Sequence, residues 1–328
     1  FTDTTRHLTN SGIPTQGIAF YHQSTLDLLQ GLSCSVGLRY DYEHARCDFS
    51  KVQQPLNGNG ETKSLEQFNR SLHFGQFTPR FSMQYLSSHN QLFYASVSKG
   101  YKAGGFNVSF LNNDDYLYSP EYNWNYEIGT KLSFLNNRLS ADLSLFYIDW
   151  RNQQITNTIP TVGNVIRNAG RSRNKGIEAS FQARPTKSWM MYMNYGYTDA
   201  RFVHYQKEER GILKDYEGNY LPMVPRHTFS LTTGYSFYDI CSWIDRLTLN
   251  AGVSVTGPIY WYEDNQAKQS PYALVNLRIS INKGCFTWEA WSKNLTNTDY
   301  LSYYFVTSKA YAQKGKPITL GTSVSISL

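Results

Sequence analysis

Residues 226–236, RHTFSLTTGYS, alternate strictly. His227, Phe229, Leu231, Thr233 and Tyr235 fall on one side, and Arg226, Thr228, Ser230, Thr232 and Gly234 on the other. RLTLNAGVSVT at 246–256 repeats the pattern, with Leu247, Leu249, Ala251, Val253 and Val255 opposing Arg246, Thr248, Asn250, Gly252 and Ser254. KGIEASFQA sets Ile177, Ala179, Phe181 and Ala183 against Gly176, Glu178, Ser180 and Gln182. The final ITLGTSVSISL sets Ile318, Leu320, Thr322, Val324, Ile326 and Leu328 against Thr319, Gly321, Ser323, Ser325 and Ser327. A period of two is the side-chain alternation of a strand. Several of these runs reach nine residues or more, a length that suits a tilted membrane crossing.

The same reading along the chain predicts about thirteen strands, near 14–25, 31–45, 76–88, 91–103, 122–136, 138–150, 172–185, 188–201, 226–236, 243–257, 270–282, 284–296 and 317–328. Their links alternate in length. DLLQG, SSHNQ, LNNR, RPTK, NKG and the slightly longer YDICSWID are short, whereas roughly 46–75, 104–121, 151–171, 202–225, 258–269 and 297–316 are long. A soluble sandwich has no reason for that rule. An outer-membrane barrel does, because its periplasmic turns are short and its outer loops long. The fold class expected is therefore all-β, a transmembrane antiparallel β-barrel, with residues 1–328 as one domain.

Composition supports this reading. Of 328 residues 16% are aromatic, including 26 Tyr, and only 17% are charged; a soluble domain carries about 25% charged residues. No run approaches the roughly 18 apolar residues of a membrane helix. The net charge of +6 is too small to point to nucleic acid. FTDTTRHLTN at the start reads as the middle of a loop and suggests a fragment.

Candidate chemistry is sparse. Cys34, Cys47, Cys241 and Cys285 show no C-x-x-C spacing and read as free thiols, with a Cys34–Cys47 pair open in principle. The seven histidines lie far apart, so no metal site is expected. KGYKAGGFN at 99–107 invites a phosphate-loop reading, but Gly100 is followed by Tyr101 and no helix follows. NNDD at 112–115 lacks the ligand spacing of a calcium loop and reads as a solvated loop. No nucleophile and base stand at recognisable spacing, so the chain is not expected to be an enzyme, and no cofactor is expected.

Several motifs, in this order, resemble the C-terminal barrel portion of a TonB-dependent outer-membrane receptor. They are GLRYDY at 37–42, FTPRFSMQY at 77–85, YASVSKGYKAGGFN at 94–107 and YEIGTK at 126–131, followed by RNAG at 167–170, KGIEASF at 175–181, SKNLTNTDY at 292–300 and the terminal strand. The resemblance implies a 22-stranded barrel with a plugged lumen. About nine strands, the plug and the N-terminal segment that TonB pulls would then lie outside this chain. An open sheet would leave two edges in lipid. One departure is Leu328, where the family usually ends in an aromatic residue.

The resemblance also suggests site residues. Glu127 and Glu178 alternate with small and polar neighbours and so face the lumen; at the matching positions the family has glutamates associated with plug arginines. A desolvated carboxylate needs such a partner, and the competing reading is two ordinary wall carboxylates in a wet lumen. Residues 151–175 carry Arg151, Arg167, Arg171, Arg173 and Lys175 and no acid. Aromatic groups recur in the other loops as Tyr116 and Tyr118, as Tyr260, Trp261 and Tyr262, and as Tyr303, Tyr304 and Phe305. Rings beside guanidinium groups suit planar anionic ligands such as ferric catecholates, although membrane barrels also use rings as interfacial girdles. The candidate ligand contacts are thus Arg167, Arg171, Arg173, Tyr116, Tyr118, Tyr260, Trp261, Tyr262, Tyr303 and Tyr304. The function implied is TonB-dependent import of a ferric siderophore, an anionic iron chelate, across the bacterial outer membrane. The expected partners are TonB, the plug, the remaining strands and outer-membrane lipid. Import of haem, cobalamin or oligosaccharide is the first alternative and a passive porin the second.

Overall fold

The computed structural model describes residues 5–56, 61–159, 162–168, 170–209, 212–306 and 309–327. Leu328 lies outside them. The wall is one antiparallel sheet of fourteen segments. They are Thr5–Gly12, Thr15–Leu29, Leu32–Pro55, Lys63–Leu86, Leu92–Lys102, Glu121–Phe134, Leu139–Arg151, Arg171–Ala183, Trp189–His204, His227–Cys241, Ile244–Thr256, Tyr272–Lys283, Phe286–Lys293 and Thr319–Ile326.

Thr5–Gly12 pairs with the far half of Leu32–Pro55 and Thr15–Leu29 with its near half. The two segments form one edge position, interrupted at Ile13–Pro14. Proline has no N–H to give a ladder, and an edge strand tolerates the gap. From Leu32 onward each wall strand pairs with the one before it and the one after it in the chain, up to Thr319–Ile326, which pairs only with Phe286–Lys293.

Register carries the face assignment sideways. Ala95, Ile128, Leu145, Ile177 and Tyr197 form one directly paired row across five strands. Ile128 is 55% exposed. Leu145 and Ile177 are exposed as well. On the opposite face the row Gly129, Ser144, Glu178, Gly196 and Thr228 is small or polar. An apolar face this extensive is not viable in water, and in hydrocarbon only a strand array with every backbone group paired survives. Among the described residues no helix is long and apolar enough to cross a membrane.

The expected loop at 46–75 is different in the structure. Leu32–Pro55 and Lys63–Leu86 are 24 residues each and pair almost to their tips. Outside the membrane the apolar side shrinks to Cys47, Phe49, Phe68 and Leu72, covered by loop residues instead of lipid, while the hydrogen-bond ladder continues. Other long links hold small hairpins: Gln154–Ile159 with Gly163–Asn168, Ile259–Tyr260 with Lys268–Gln269, and Leu301–Val306 with Ala310–Lys314. The short turns are tight: Gly31 has φ +79°, and Leu135, Asn136 and Asn137 are all left-handed.

Buried apolar clusters lie beyond the crossing rather than within it. Ala200, Phe202, Tyr205, Tyr216 and Leu221 pack with Ile155 and Val224, and Ala45, Cys47, Phe49 and Phe106 pack with Phe68, Leu72 and Phe110. All four cysteines are free. Cys34 and Cys47 cannot join: they sit on opposite faces of one strand, separated by roughly 40 Å of extended chain, whereas a disulfide needs Cα atoms within about 7 Å.

Candidate functional site

On the lumen face, Tyr94 donates its hydroxyl to Glu127 Oε1 at 2.6 Å. Tyr94 pairs directly with Gly129, two residues beyond Glu127. A Cβ at Gly129 would meet the Tyr94 hydroxyl oxygen at 2.5 Å and its ring carbon at 2.6 Å. The missing side chain is what lets the ring lie across the neighbouring strand and reach the carboxylate. Glu178 has the mirror arrangement: two residues before it, a Cβ at Gly176 would meet the Phe146 ring at 2.6 Å. Glycine two places from each glutamate thus seats an aromatic ring from the next strand. Both carboxylates lie on the lumen face, and among the described residues neither forms an ion pair.

At the mouth, loop residues from four links meet around a cavity of ≈ 600 Å³. Trp261, Tyr262, Tyr303 and Tyr304 line it, opposite Ile155 and Asn157. The ring of Tyr304 lies 6.2 Å from that of Tyr262, edge-on, and that of Tyr303 6.3 Å from Trp261, also edge-on. The Tyr262 hydroxyl accepts from the backbone N–H of Val306 at 2.6 Å, which ties the two aromatic loops together. Burial raises its pKa. Lys207 and Glu263 pair across the wall of the cavity at 3.7 Å. Trp261 is 6% exposed, and its indole N–H and the side-chain amide nitrogen of Asn157 have no acceptor among the described residues. Buried donors without partners are costly and few in native structures. The cavity therefore offers aromatic rings set edge to face and two unmet donors, a setting for a planar ligand that carries oxygen acceptors.

The other expected residues are placed elsewhere. Tyr260 stacks on Tyr220 at 5.5 Å, and Arg201 and Arg226 lie over the Tyr220 ring. Tyr116 is buried against Phe68 and Phe110, with Arg70 above its ring. Tyr118 lies under Gly104 and Gly105, where any Cβ would collide with it, and these two glycines of KGYKAGGFN serve this close approach. Arg167 clamps Asp115 with two bonds of 2.7 and 2.8 Å. Asn112, Asn113 and Asp114 are exposed, as a solvated loop requires, but Asp115 is buried: Asn112 caps the turn and Asp115 staples it to the hairpin at 163–168. The Arg167 guanidinium holds the Asp115 carboxyl below its ordinary pKa. Arg171 bonds Asp149 at 2.5 Å. Arg171 and Arg173 share the face of Ile177 and Phe181, turned away from the lumen.

Asn157, Lys207 and Glu263 were not singled out in the sequence. Each is a common polar residue in its own loop, and only the folding of three loops onto one another brings them to one wall.

Residues 2–297 match the family described as TonB dependent receptor-like, beta-barrel. The chain is 24% identical over 334 residues to the pesticin receptor of Yersinia pestis, covering 98% of this chain and 45% of that protein. It is 26% identical over 241 residues to the probable TonB-dependent siderophore receptor PiuA of Acinetobacter baumannii, covering 68% of this chain and 30% of that protein. Among solved structures it is similar to the ferric yersiniabactin uptake receptor FyuA from Yersinia pestis, with a TM-score of 0.78 and 21% identity over 98% of this chain and 47% of that one. The chain thus spans less than half the length of these relatives. With an outer-membrane strand wall, its paired rows and this match over most of its length, the chain belongs to the TonB-dependent receptor β-barrel family, whose members are transport receptors and not enzymes.

Proposed function

We propose that this chain is the C-terminal wall of an energy-coupled importer of a ferric siderophore. The observation that carries the reading is the mouth cavity, where Trp261, Tyr262, Tyr303 and Tyr304 surround two donors that have no acceptor. Aryl groups of an iron chelator would stack on these rings, and their oxygens would take the indole and amide protons. Relatives whose names refer to siderophores or ferrichrome agree with an iron-chelate cargo. Energy would arrive through TonB, acting on a plug carried by the part of the receptor outside this chain. Glu127 and Glu178 would hold arginines of that plug, Glu127 through the oxygen that Tyr94 leaves open, in place of lumen water.

The reading is tested on the complete receptor with radiolabelled ferric chelates. Saturable uptake that needs TonB and falls on truncating Trp261 and Tyr304 is expected. A conducting pore with no chelate uptake would instead make the protein a porin.

A further inference from the structure

The two tall strands, Leu32–Pro55 and Lys63–Leu86, carry a pair of histidines where they leave the membrane. On their outward face the directly paired rows rise as Val36 with Phe81, Leu38 with Pro79, Tyr40 with Phe77 and Tyr42 with Gly75. Val36, Leu38, Phe77 and Phe81 are exposed, as lipid-facing side chains are. The next row is Gln16, His44 and His73. Above it Arg46 is tied to Asp48 at 3.0 Å. The histidines thus form the first polar row beyond the apolar side chains and the two tyrosines. The seven histidines are far apart in the chain, but register sets these two side by side.

The rings of His44 and His73 are stacked, with centroids 4.5 Å apart and planes 9° from parallel. Tyr42 reaches diagonally across the strand pair, and its hydroxyl lies 2.9 Å from His73 Nδ1. Gly75, two residues along from His73 on the same face, leaves room for the Tyr40 hydroxyl, which lies 2.9 Å from where a Cβ would stand. Among the described residues of these strands the carboxylate on this face is Asp48, already held by Arg46 and Asn69. The imidazole nitrogens are therefore the donors that this row can offer. Among the described residues no three His, Cys, Asp or Glu side chains gather to hold a metal. A site here has two protein ligands and leaves its other positions to water.

We propose that His44 and His73 form a two-imidazole site for a divalent transition metal, copper above nickel and zinc, with Tyr42 as a positioning residue. Nitrogen donors suit these ions, whereas magnesium and calcium take oxygen. A neutral imidazole has one N–H and one lone pair. With Nδ1–H of His73 donated to the Tyr42 oxygen, Nε2 keeps its lone pair for the ion. Histidines that bind metals ordinarily have such an outer partner. Tilting the two rings from parallel brings one nitrogen of each to about 2.0–2.1 Å from a shared ion. The site lies on the outside of the wall, away from the mouth cavity, so it stands or falls independently of the transported ligand.

The test uses the complete receptor without an affinity tag, stripped by a chelator and titrated in detergent with copper(II) alone. Pulsed electron paramagnetic resonance counts the imidazole nitrogens on the bound ion. The wild type is expected to hold copper through two imidazoles and to bind nickel and zinc more weakly. His44→Gln and His73→Gln are each expected to lose the two-imidazole signal and to weaken copper binding on the order of 100-fold, and Tyr42→Phe to weaken it about tenfold. His89→Gln, in the short turn at 87–91, is expected to change nothing. Heat-modified gel mobility reports folding; should His73→Gln fail it, His44→Gln and Tyr42→Phe carry the test. Copper held by a single imidazole, a two-imidazole signal that survives His44→Gln, an equal loss with His89→Gln, or displacement by magnesium at matched concentration each overturns the proposal.

Discussion

Tyr94 and Glu127 are joined by a 2.6 Å hydrogen bond that crosses from one strand to the next over the bare backbone of Gly129. The bond holds one carboxylate oxygen and leaves the other for a second partner. It also explains why tyrosine, glutamate and glycine must occupy these positions together. Gly129→Ala is expected to push the ring off Glu127 and destabilise the wall by about 1–3 kcal/mol, as overpacking does. The measurement is the temperature of heat-modified mobility for G129A beside Y94A, because Phe would keep the ring carbon that stands 2.6 Å from the added Cβ. With the ring gone, the double variant is expected to recover part of what G129A loses, the Leu143 carbonyl at 2.8 Å remaining in place.

The proposed plug contacts give a second expectation. Glu127→Gln and Glu178→Gln would each remove a charge from a desolvated pair, at about 2–4 kcal/mol apiece if the partner arginine stays buried. The complete receptor carrying both changes should show a plug that exchanges deuterium faster and a raised ion leak in planar bilayers. A plug as protected as in the wild type would leave both residues as ordinary wall carboxylates.

In the mouth cavity the ring and the indole N–H can be separated. Trp261→Phe keeps the stacking surface and deletes the unmet donor, so about a tenfold loss of chelate affinity is expected. Tyr304→Ala removes stacking surface, with a loss of about 10- to 100-fold. Tryptophan-fluorescence quenching or radiolabel binding on the complete receptor would read both. Equal affinity in all three proteins would put the ligand elsewhere.

Asp115 and Arg167 set a pH dependence for the loop at 105–118. The folded Asp115 pKa lies below its unfolded value of about 3.9. Its stabilising contribution is therefore complete above that value and disappears as pH falls through the lowered folded one. Deuterium exchange of the loop, corrected for intrinsic rates, should be level from pH 8 to 5 and rise only below about pH 4. Arg167→Ala should raise it at every neutral pH, by a local opening cost of about 2–3 kcal/mol, reduced from a fully buried pair because Arg167 is partly exposed.

Much of the wall was legible in the sequence because a membrane imposes contrast on it. Lipid on one side and water on the other make alternate residues differ, so His227 to Tyr235, Leu247 to Val255 and Ile177 to Phe181 declared both strand and face. The count that put Glu178 opposite Ile177 also places Lys175, Arg173 and Arg171 outward when carried back up the strand. Their grouping with the loop rings followed from charge composition, which carries no direction.

Beyond the lipid that contrast narrows. Residues 46–55 and 63–75 show only a short apolar side, Cys47 and Phe49 with Phe68 and Leu72, covered by Phe106 and Phe110 rather than by lipid, and each strand is the other's hydrogen-bond partner. Tertiary structure alone decided that Asp115 is buried against Arg167 rather than solvated. It likewise brought Asn157, Lys207, Glu263 and four aromatic residues to one cavity, since that wall is made by loops distant in sequence. The chain by itself determined where the membrane-crossing part of the strands runs and which side meets lipid, because solvent acts on every residue locally. Which loop side chains meet was left to packing, where a residue's partner depends on the position of every other loop.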